Sequence, residues 1–206
     1  TSPMRLGIDL DGVVSDFNKG WIDQYNTEFG AAIPLDAVTT WDGIQPLTHF
    51  TDMDAFWEWA KDFGNGSLFR HLETHAGAVP ALERLAADHA VVIITAKPDW
   101  AVADTLAWIA DHQLPTREVH IVGMHDPKWT IPCDVYLDDS PYQIETIHEH
   151  RRESQMCRYV RPWNSPVPGV HDIHDWEEFE ELVSRLTNPR GSLRGASTGD
   201  KESRQL

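Results

Sequence analysis

Short apolar segments alternate with helical segments along most of this chain, and this alternation restricts the possible fold more than any other feature. Five short segments, each apolar or rich in valine and isoleucine, are predicted strands: Met4–Asp9, Ala90–Thr95, Glu118–Val122, Val135–Asp138 and Cys157–Arg161. The clearest predicted helices between them are Val79–His89 and Trp100–His112. In the second helix, four residues recur at the spacing of one face: Val102, Leu106, Ile109 and Ala110. This order predicts an α/β fold with a doubly wound, Rossmann-like parallel sheet.

The segment between the first two predicted strands breaks the alternation. No strand is predicted from Phe17 to His75, where helical stretches at Asp16–Phe29 and Asp54–Phe63 lie among many aromatic residues. An insertion of this size is large enough to fold as a helical cap. We therefore expect a core domain of residues 1–16 and 76–188, and a cap of residues 17–75. Residues 189–206 are polar and nearly free of apolar side chains, which predicts a disordered tail.

The composition limits the class of partner. The 206 residues carry a formal net charge of −16 without a stripe of lysine and arginine, so we expect no nucleic-acid partner. A small phosphorylated substrate is compatible with this charge, because a site can be locally positive. Cys133 and Cys157 form no CxxC pair, which argues against a zinc knuckle or a disulfide scaffold. The sequence shows neither a long apolar run nor a leader, so we expect no membrane span and a cytoplasmic protein; a homodimer is left open.

Carboxylates follow the first and fourth predicted strands. Asp9 and Asp11 come directly after the apolar run Leu6–Ile8, and the stretch VYLDD ends in Asp138 and Asp139. Burying an unpaired carboxylate is costly, so acids at the ends of buried strands indicate a cation at the same place. The cation that these positions favour is a metal ion.

A hydroxyl and an ammonium group are expected at the same edge of the sheet. Thr95 ends the second predicted strand, and Lys128 lies in the loop before the fourth. Ligands of doubly wound sheets bind outside the carboxyl ends of the strands. Carboxylate oxygens there suit Mg²⁺, and the hydroxyl and the lysine can hold a phosphate against it. Asp9 can then attack phosphorus, while Asp11 can protonate the leaving oxygen and later take a proton from water.

Four motifs occur in a fixed order along the predicted core. They are DLDGVVSDF, the threonine of VVIITAKP, Lys128, and VYLDDSP. In this order they resemble the haloacid dehalogenase (HAD) superfamily of phosphotransferases, from Met4 to about Ser140. A narrower resemblance is to the 5′(3′)-deoxyribonucleotidases, through DxDGVxxDF, the lysine before the DD pair, and RPWN at residues 161–164. The chain departs from that family at Ala96-Lys97, where the family often has Ser-Pro, and this bears on the substrate more than on the chemistry.

The resemblance implies a role for each motif residue. It makes Asp9 the nucleophile and Asp11 the acid and base, whereas dehalogenases of the superfamily lack an acid at the position of Asp11. Thr95, its neighbour Ala96, and Lys128 are expected to bind the phosphoryl group. The groups expected to hold Mg²⁺ are Asp9, the Asp11 carbonyl, Asp138 and Asp139.

Three aromatic residues are candidates for the substrate pocket. Phe17 directly follows the first motif, and its counterpart in the resembled family lines the nucleoside pocket. Four other residues share one helical face and are most simply core: Phe56, Trp59, Ala60 and Phe63. Trp57 lies off that face and is a better pocket candidate, and Trp41 is a further one. A surplus of rings near Phe17 favours stacking on a planar base.

The predicted function is that of a Mg²⁺-dependent HAD phosphatase, a 5′-nucleotidase that hydrolyses (deoxy)nucleoside 5′-monophosphates through an aspartyl-phosphate intermediate. One alternative is a phosphatase for another small phosphate ester, or a phosphomutase, with the same catalytic groups. An alternative of a different class is a catalytically silent binding or regulatory protein that keeps the HAD fold. Retention of all four motif positions argues against the silent protein.

Overall fold

One sheet forms the centre of the molecule. The structure is a computed structural model that describes residues 2–189. All neighbouring strands are parallel, in the order β3-β2-β1-β4-β5-β6. The strands are β1 (Arg5–Ile8), β2 (Ala90–Ala96), β3 (Glu118–Val122), β4 (Val135–Asp138), β5 (Gln155–Tyr159) and β6 (His171–Ile173). The predicted α/β class with a doubly wound parallel sheet is thus confirmed. The strand order reverses at β1 and β4, which places a crevice between their carboxyl ends.

Among residues 2–189, six α-helices surround or extend from this sheet. They are α1 (Phe17–Phe29), α2 (Met53–Ala60), α3 (Ala78–Ala86), α4 (Val102–Asp111), α5 (Pro141–His150) and α6 (Trp176–Thr187). Side chains of Asp16, Asp52, Ser140 and Asp175 accept N–H groups of the first turns of α1, α2, α5 and α6. These caps fix where the helices begin, because the first N–H groups of a helix have no partner within it. No helix among residues 2–189 has the length and apolar character needed to cross a membrane.

Alternate residues of the central strands pack into two separate cores. Val91 and Ile93 belong to the larger core, whereas Val92 and Ile94 belong to the core on the opposite face. Period-two alternation with both faces apolar is what a sheet covered on both sides requires. At Gly7 a Cβ atom would lie 3.0 Å from side-chain atoms of Ile94 and Tyr136, so glycine lets these side chains close the second core.

The segment between β1 and α3 is helical and packs against the larger core. Residues 17–75 contain α1, α2 and a short 3₁₀ turn at Gln45–Leu47, and none of the six strands lies among them. Trp21 and Phe56 of this segment are fully buried in the same core as Leu6 and Ile8 of β1. The division into core and cap domains stays a prediction. The tail predicted at residues 189–206 lies outside the described residues apart from Pro189.

Three local predictions differ from the structure. The strand β6 was not predicted, because it has only three residues and two of them are polar. The strand β5 begins at Gln155, two residues before the predicted start, because Gln155 pairs with Val135 of β4. Of the four residues predicted to share one face of α4, Ile109 is buried, whereas Val102, Leu106 and Ala110 are exposed. The side chains that α4 buries are Thr105, Trp108 and Ile109.

Candidate active site

The crevice between β1 and β4 brings the two acidic motifs together. Ile8 pairs with Leu137 in the sheet, and the N–H of Asp9 donates to the Leu137 carbonyl at 3.0 Å. Asp9 therefore follows β1 directly beside Asp138, the last residue of β4. Two sequence segments about 130 residues apart meet here because parallel strands present their carboxyl ends at one edge.

Three buried acids form what we call the carboxylate cluster: Asp9, Asp138 and Asp139. Each is at most 6% exposed, and one carboxylate oxygen from each lies within 4.8 Å of the others. The Lys128 ammonium, also buried, donates to Asp9 Oδ1 at 2.8 Å and to Asp138 Oδ2 at 2.6 Å. One ammonium group facing three carboxyl groups leaves the cluster short of positive charge.

The pKa values of the cluster residues reflect this shortage of positive charge. Burial, followed by the charge of Asp138, raises the pKa of Asp9 well above its ordinary value. The same two causes raise the pKa of Asp139 to about 6. Burial opposes the charged form of Lys128, but the neighbouring Asp138 and Asp9 carboxylates raise its pKa overall. Three hard oxygen donors in one buried place, with incomplete charge compensation, are the donor set that fits Mg²⁺.

Neighbouring groups hold the cluster in place. The Trp163 indole donates to Asp139 Oδ2 at 2.8 Å, and the Ser140 N–H donates to Asp138 Oδ1 at 2.9 Å. Gln143 Oε1 accepts the backbone N–H of Lys128 at 2.9 Å. Sequence reasoning did not assign these supporting roles. For Trp163 a signal was present, because it lies within the RPWN stretch.

A tight turn places the second acid of the first motif. The Leu10 carbonyl accepts the N–H groups of Val13, Val14 and Ser15, which closes the turn. Gly12 has a φ of +83°, and a Cβ there would lie 2.1 Å from Asp139 Oδ2. Glycine is required for both reasons: the left-handed conformation and the close approach of an acid.

The Asp11 carboxylate lies outside the carboxylate cluster and has its own partners. Ser15 Oγ donates to Asp11 Oδ1 at 2.9 Å, and Lys97 Nζ donates to Asp11 Oδ2 at 2.6 Å. The metal role predicted for Asp11 involves its backbone carbonyl, and it stays a prediction. Lys97 is a residue that sequence reasoning missed as part of the site. It was noted only as a departure from the resembled family.

The end of β2 contributes a buried hydroxyl group, that of Thr95. Thr95 is buried, and its Oγ1 has no hydrogen-bond partner among the described residues. Buried hydroxyls are almost always paired, so the Thr95 hydroxyl is able to bond a ligand group at this end of the strand. Because Ile93 pairs with Ile8, Thr95 lies level with the Asp9–Asp11 turn. Its neighbour Ala96 lines the cavity described next.

The carboxylate cluster opens into a cavity of about 800 Å³. On one side Phe17, Trp57 and Phe69 form what we call the aromatic wall. The Phe17 and Phe69 rings stack at 5.7 Å between centroids, and the Trp57 and Phe69 rings stack at 6.1 Å. Trp41, 52% exposed, and Tyr142, 46% exposed, line the same cavity. Nine of the ten predicted site residues line it, and Thr95 is the exception.

Solved structures with the same fold belong to the HAD superfamily. A haloacid dehalogenase-like family protein from Streptococcus pneumoniae superposes with a TM-score of 0.64 at 11% identity, over 88% of this chain and 98% of that one. A HAD-hydrolase candidate from Bacillus subtilis, bound to magnesium, superposes with a TM-score of 0.60 at 12% identity, over 88% and 99% of the two chains. The chain therefore has the α/β fold of these HAD proteins.

The family assignment is narrower than the fold. The model of the "5′ nucleotidase, deoxy (Pyrimidine), cytosolic type C protein" family matches residues 3–188, and the chain belongs to that family. It is therefore a HAD nucleotidase, a phosphoric monoester hydrolase. A nucleotidase candidate from Halalkalibacterium halodurans is 25% identical over 91% of this chain and 96% of its own length. A 5′(3′)-deoxyribonucleotidase from Clostridium acetobutylicum is 22% identical over 83% and 97%.

Proposed function

We propose that this protein hydrolyses (deoxy)nucleoside 5′-monophosphates, using Mg²⁺ and an aspartyl-phosphate intermediate on Asp9. The observation that carries the proposal is the position of the carboxylate cluster at the base of a cavity with a wall of stacked aromatic rings. One part suits a phosphate and a cation, and the other suits a planar base. The cavity, at about 800 Å³, is within the usual range for a small-molecule site.

The chemistry divides between two carboxylates. Asp9 attacks phosphorus, and the bond from phosphorus to the nucleoside oxygen breaks. Asp11 supplies the proton that this oxygen needs to leave as an alcohol. Asp11 then takes a proton from the water that cleaves the acyl phosphate, which releases inorganic phosphate and regenerates Asp9. The separate environments of the two acids support these roles, since Asp9 belongs to the buried cluster and Asp11 does not.

The remaining polar groups would bind the phosphoryl group and the metal. Asp9, Asp138 and Asp139, with the Asp11 carbonyl, would hold Mg²⁺, which when bound neutralises the charge of the cluster and of the phosphoryl oxygens. The Lys128 ammonium, the unpaired Thr95 hydroxyl and the backbone of Ala96 would contact the phosphoryl oxygens. The magnesium bound by the related fold from Bacillus subtilis supports the choice of metal.

The wall and its neighbours would select the leaving group. The rings of Phe17 and Trp57 line the cavity. Trp41, which is half exposed, lines it as well. Stacking of a base on aromatic rings contributes roughly 1–3 kcal/mol per base in nucleic-acid binders. The deoxyribonucleotidase activity named for the Clostridium acetobutylicum relative supports the same substrate class. The cytosolic family description supports a cytoplasmic location.

A panel of phosphate esters tests the proposal. Phosphate release would be measured with Mg²⁺ for ribo- and deoxyribonucleoside 5′-monophosphates, nucleoside 3′-monophosphates, glucose 6-phosphate and glycerol 3-phosphate. We expect the highest kcat/KM for nucleoside 5′-monophosphates. If glucose 6-phosphate were the better substrate, the nucleotide preference would be wrong and a phosphatase of another class would remain. A complete lack of turnover for every ester would favour the catalytically silent protein.

A further inference from the structure

Lys97 is a buried ammonium group to which the proposed chemistry assigns no role. Its side chain is 2% exposed, and its Nζ donates to Asp11 Oδ2 at 2.6 Å. The other oxygen of the same carboxylate, Oδ1, accepts from Ser15 Oγ at 2.9 Å. Ser15 is itself buried. Both oxygens of the proposed acid are thus held, one by a neutral hydroxyl from its own turn and one by a charge from another strand.

The backbone fixes Lys97 at this place. The Lys97 N–H donates to the Val122 carbonyl at 3.0 Å, which continues the pairing of β2 and β3 by one residue. Pro98 follows with a φ of −65°. The side chain therefore starts directly after β2, at a residue whose backbone is bonded to β3, and such a start limits how far its ammonium group can move.

The same ammonium group also contacts the aromatic wall. Lys97 Nζ lies 4.0 Å from the centroid of the Phe69 ring, which is the geometry of a cation–π contact. Phe69 is the wall residue that stacks on both Phe17 and Trp57. Lys97 thus links the carboxylate that moves the proton to the rings that would bind the leaving group.

We infer that Lys97 is a positioning residue that fixes the Asp11 carboxylate toward the leaving oxygen and couples its position to the aromatic wall. The inference rests on the proposed function, because it gives Asp11 the role of acid. Lys97 touches neither the phosphoryl group nor the metal in this assignment and acts through Asp11. A misplacement of a reacting group by about 1 Å can cost roughly 100-fold in rate, so the effect belongs in the catalytic step.

The fold should tolerate removal of this charge. The Asp11 side chain is 24% exposed and keeps its bond from Ser15, so it stays solvated without Lys97. Lys97→Met keeps the length and the apolar stem of the side chain against Phe69. Lys97→Arg keeps the charge but changes its shape. As a matched control, Lys61→Met removes an exposed lysine that pairs with Glu58 on the surface.

The decisive experiment compares two leaving groups. A nucleoside oxygen needs a proton to leave, whereas p-nitrophenolate leaves as a stable anion. For Lys97→Met we expect kcat/KM for a deoxyribonucleoside 5′-monophosphate to fall roughly 100-fold, through kcat rather than KM. The fall for p-nitrophenyl phosphate should be several times smaller. Lys97→Arg should recover part of the loss, and Lys61→Met should match the unmodified protein. Equal falls for both esters, or no fall, would overturn the inference.

A double variant and a structure give independent readouts. In an Asp11→Asn background, Lys97→Met should cost little more, since both changes act on the same group. A crystal structure of Lys97→Met should show the Asp11 carboxylate displaced from the position that Lys97 and Ser15 define. An unmoved carboxylate would contradict the inference. If the unmodified protein hydrolysed no nucleotide, the proposed function would be wrong, while this structure would still decide whether Lys97 positions Asp11.

Discussion

The carboxylate cluster and the aromatic wall line the same cavity, but they are held in opposite ways. Each cluster acid is at most 6% exposed and is bonded to a lysine, an indole or a backbone N–H. The wall is held by ring contacts, and only Phe69 of its three members is buried. Directional bonds fix atoms, whereas ring stacking tolerates small shifts.

This contrast indicates that the proposed chemistry and the proposed substrate selection are separable in this site. The cluster is fixed at the ends of β1 and β4, which makes it a preorganised electrostatic site. The wall joins the start of α1 to α2 and to the loop that follows it. Changes in the cluster should therefore alter the rate for every substrate. Changes in the wall should alter which substrates bind.

The largest expected effect comes from Asp9, the proposed nucleophile. Asp9→Asn would remove the proposed attacking oxygen but keep the size of the side chain, so turnover should fall at least about 10⁴-fold for every ester. The fold should survive, since the substitution removes one of three crowded acids while Lys128 still pairs with Asp138. Phosphate release and thermal melting measure the two outcomes. Asp88→Asn, which changes an exposed acid, is the control. Hydrolysis by Asp9→Asn above a mock preparation would rule out this role.

Removal of the metal should have the second-largest effect, and it too acts on the cluster. Turnover should vanish in EDTA and return with Mg²⁺, because one lysine poorly compensates three crowded carboxyl groups. A metal at about 100 times its Kd stabilises a protein by about 2.7 kcal/mol, which should raise the Tm by several degrees. Asp138→Asn should reduce that rise in Tm, which would show that the stabilising metal binds at the cluster. Full activity after exhaustive chelation would contradict the metal assignment.

The same contrast explains what could be predicted from the sequence. The cluster follows from two local patterns, because an apolar strand that ends in acids predicts both the strand and the position of its acids. Parallel pairing then brings Asp9 next to Asp138 without further information. The strand ends of β1 to β4 were predicted within about one residue for the same reason.

The rest depends on tertiary packing that no local pattern contains. In α4 the buried side includes Trp108, whose indole donates to the Leu72 carbonyl at 2.8 Å, and excludes Val102 and Leu106. Phe69 reaches Phe17 across about fifty residues of sequence. In the sequence nothing distinguishes Lys97 from an ordinary surface lysine. In the structure the ends of β1 and β2 place it beside Asp11. Its burial is visible only in three dimensions.

The wall gives a smaller and more selective prediction. Phe17→Ala removes one stacking surface, so KM for nucleoside 5′-monophosphates should rise by roughly 5- to 150-fold, which corresponds to about 1–3 kcal/mol. KM for glycerol 3-phosphate, which has no ring, should change little. Phe29→Ala is the control, because Phe29 ends the same helix and is not among the residues that line the cavity. An equal rise in KM for both esters would mean that Phe17, like the cluster, acts on the phosphate site rather than on the base.

The smallest expected effect concerns His75, which lines the cavity but belongs to neither region. Its Nε2 is buried without a hydrogen-bond partner among the described residues. Burial, followed by the charge of Arg161, lowers the pKa of His75 from 6.5 to about 4, although Asp16 and Asp11 oppose the shift. In the unfolded chain the imidazole regains its ordinary pKa. Between pH 6.5 and 4 the unfolded state therefore binds more protons, and His75 lowers the free energy of unfolding as the pH falls.

A comparison of variants isolates this contribution from the other titrating groups. In urea unfolding at about pH 7.5 and about pH 5, the unmodified protein should lose about 1–2 kcal/mol more than His75→Gln. His71→Gln, which changes an exposed histidine, should follow the unmodified protein. The same loss in all three proteins would mean that His75 can be protonated freely in the folded state. A loss confined to proteins that keep His75 would instead show that unfavourable burial of charge extends beyond the carboxylate cluster, to a part of the cavity where burial and the charge of Arg161 oppose a protonated histidine.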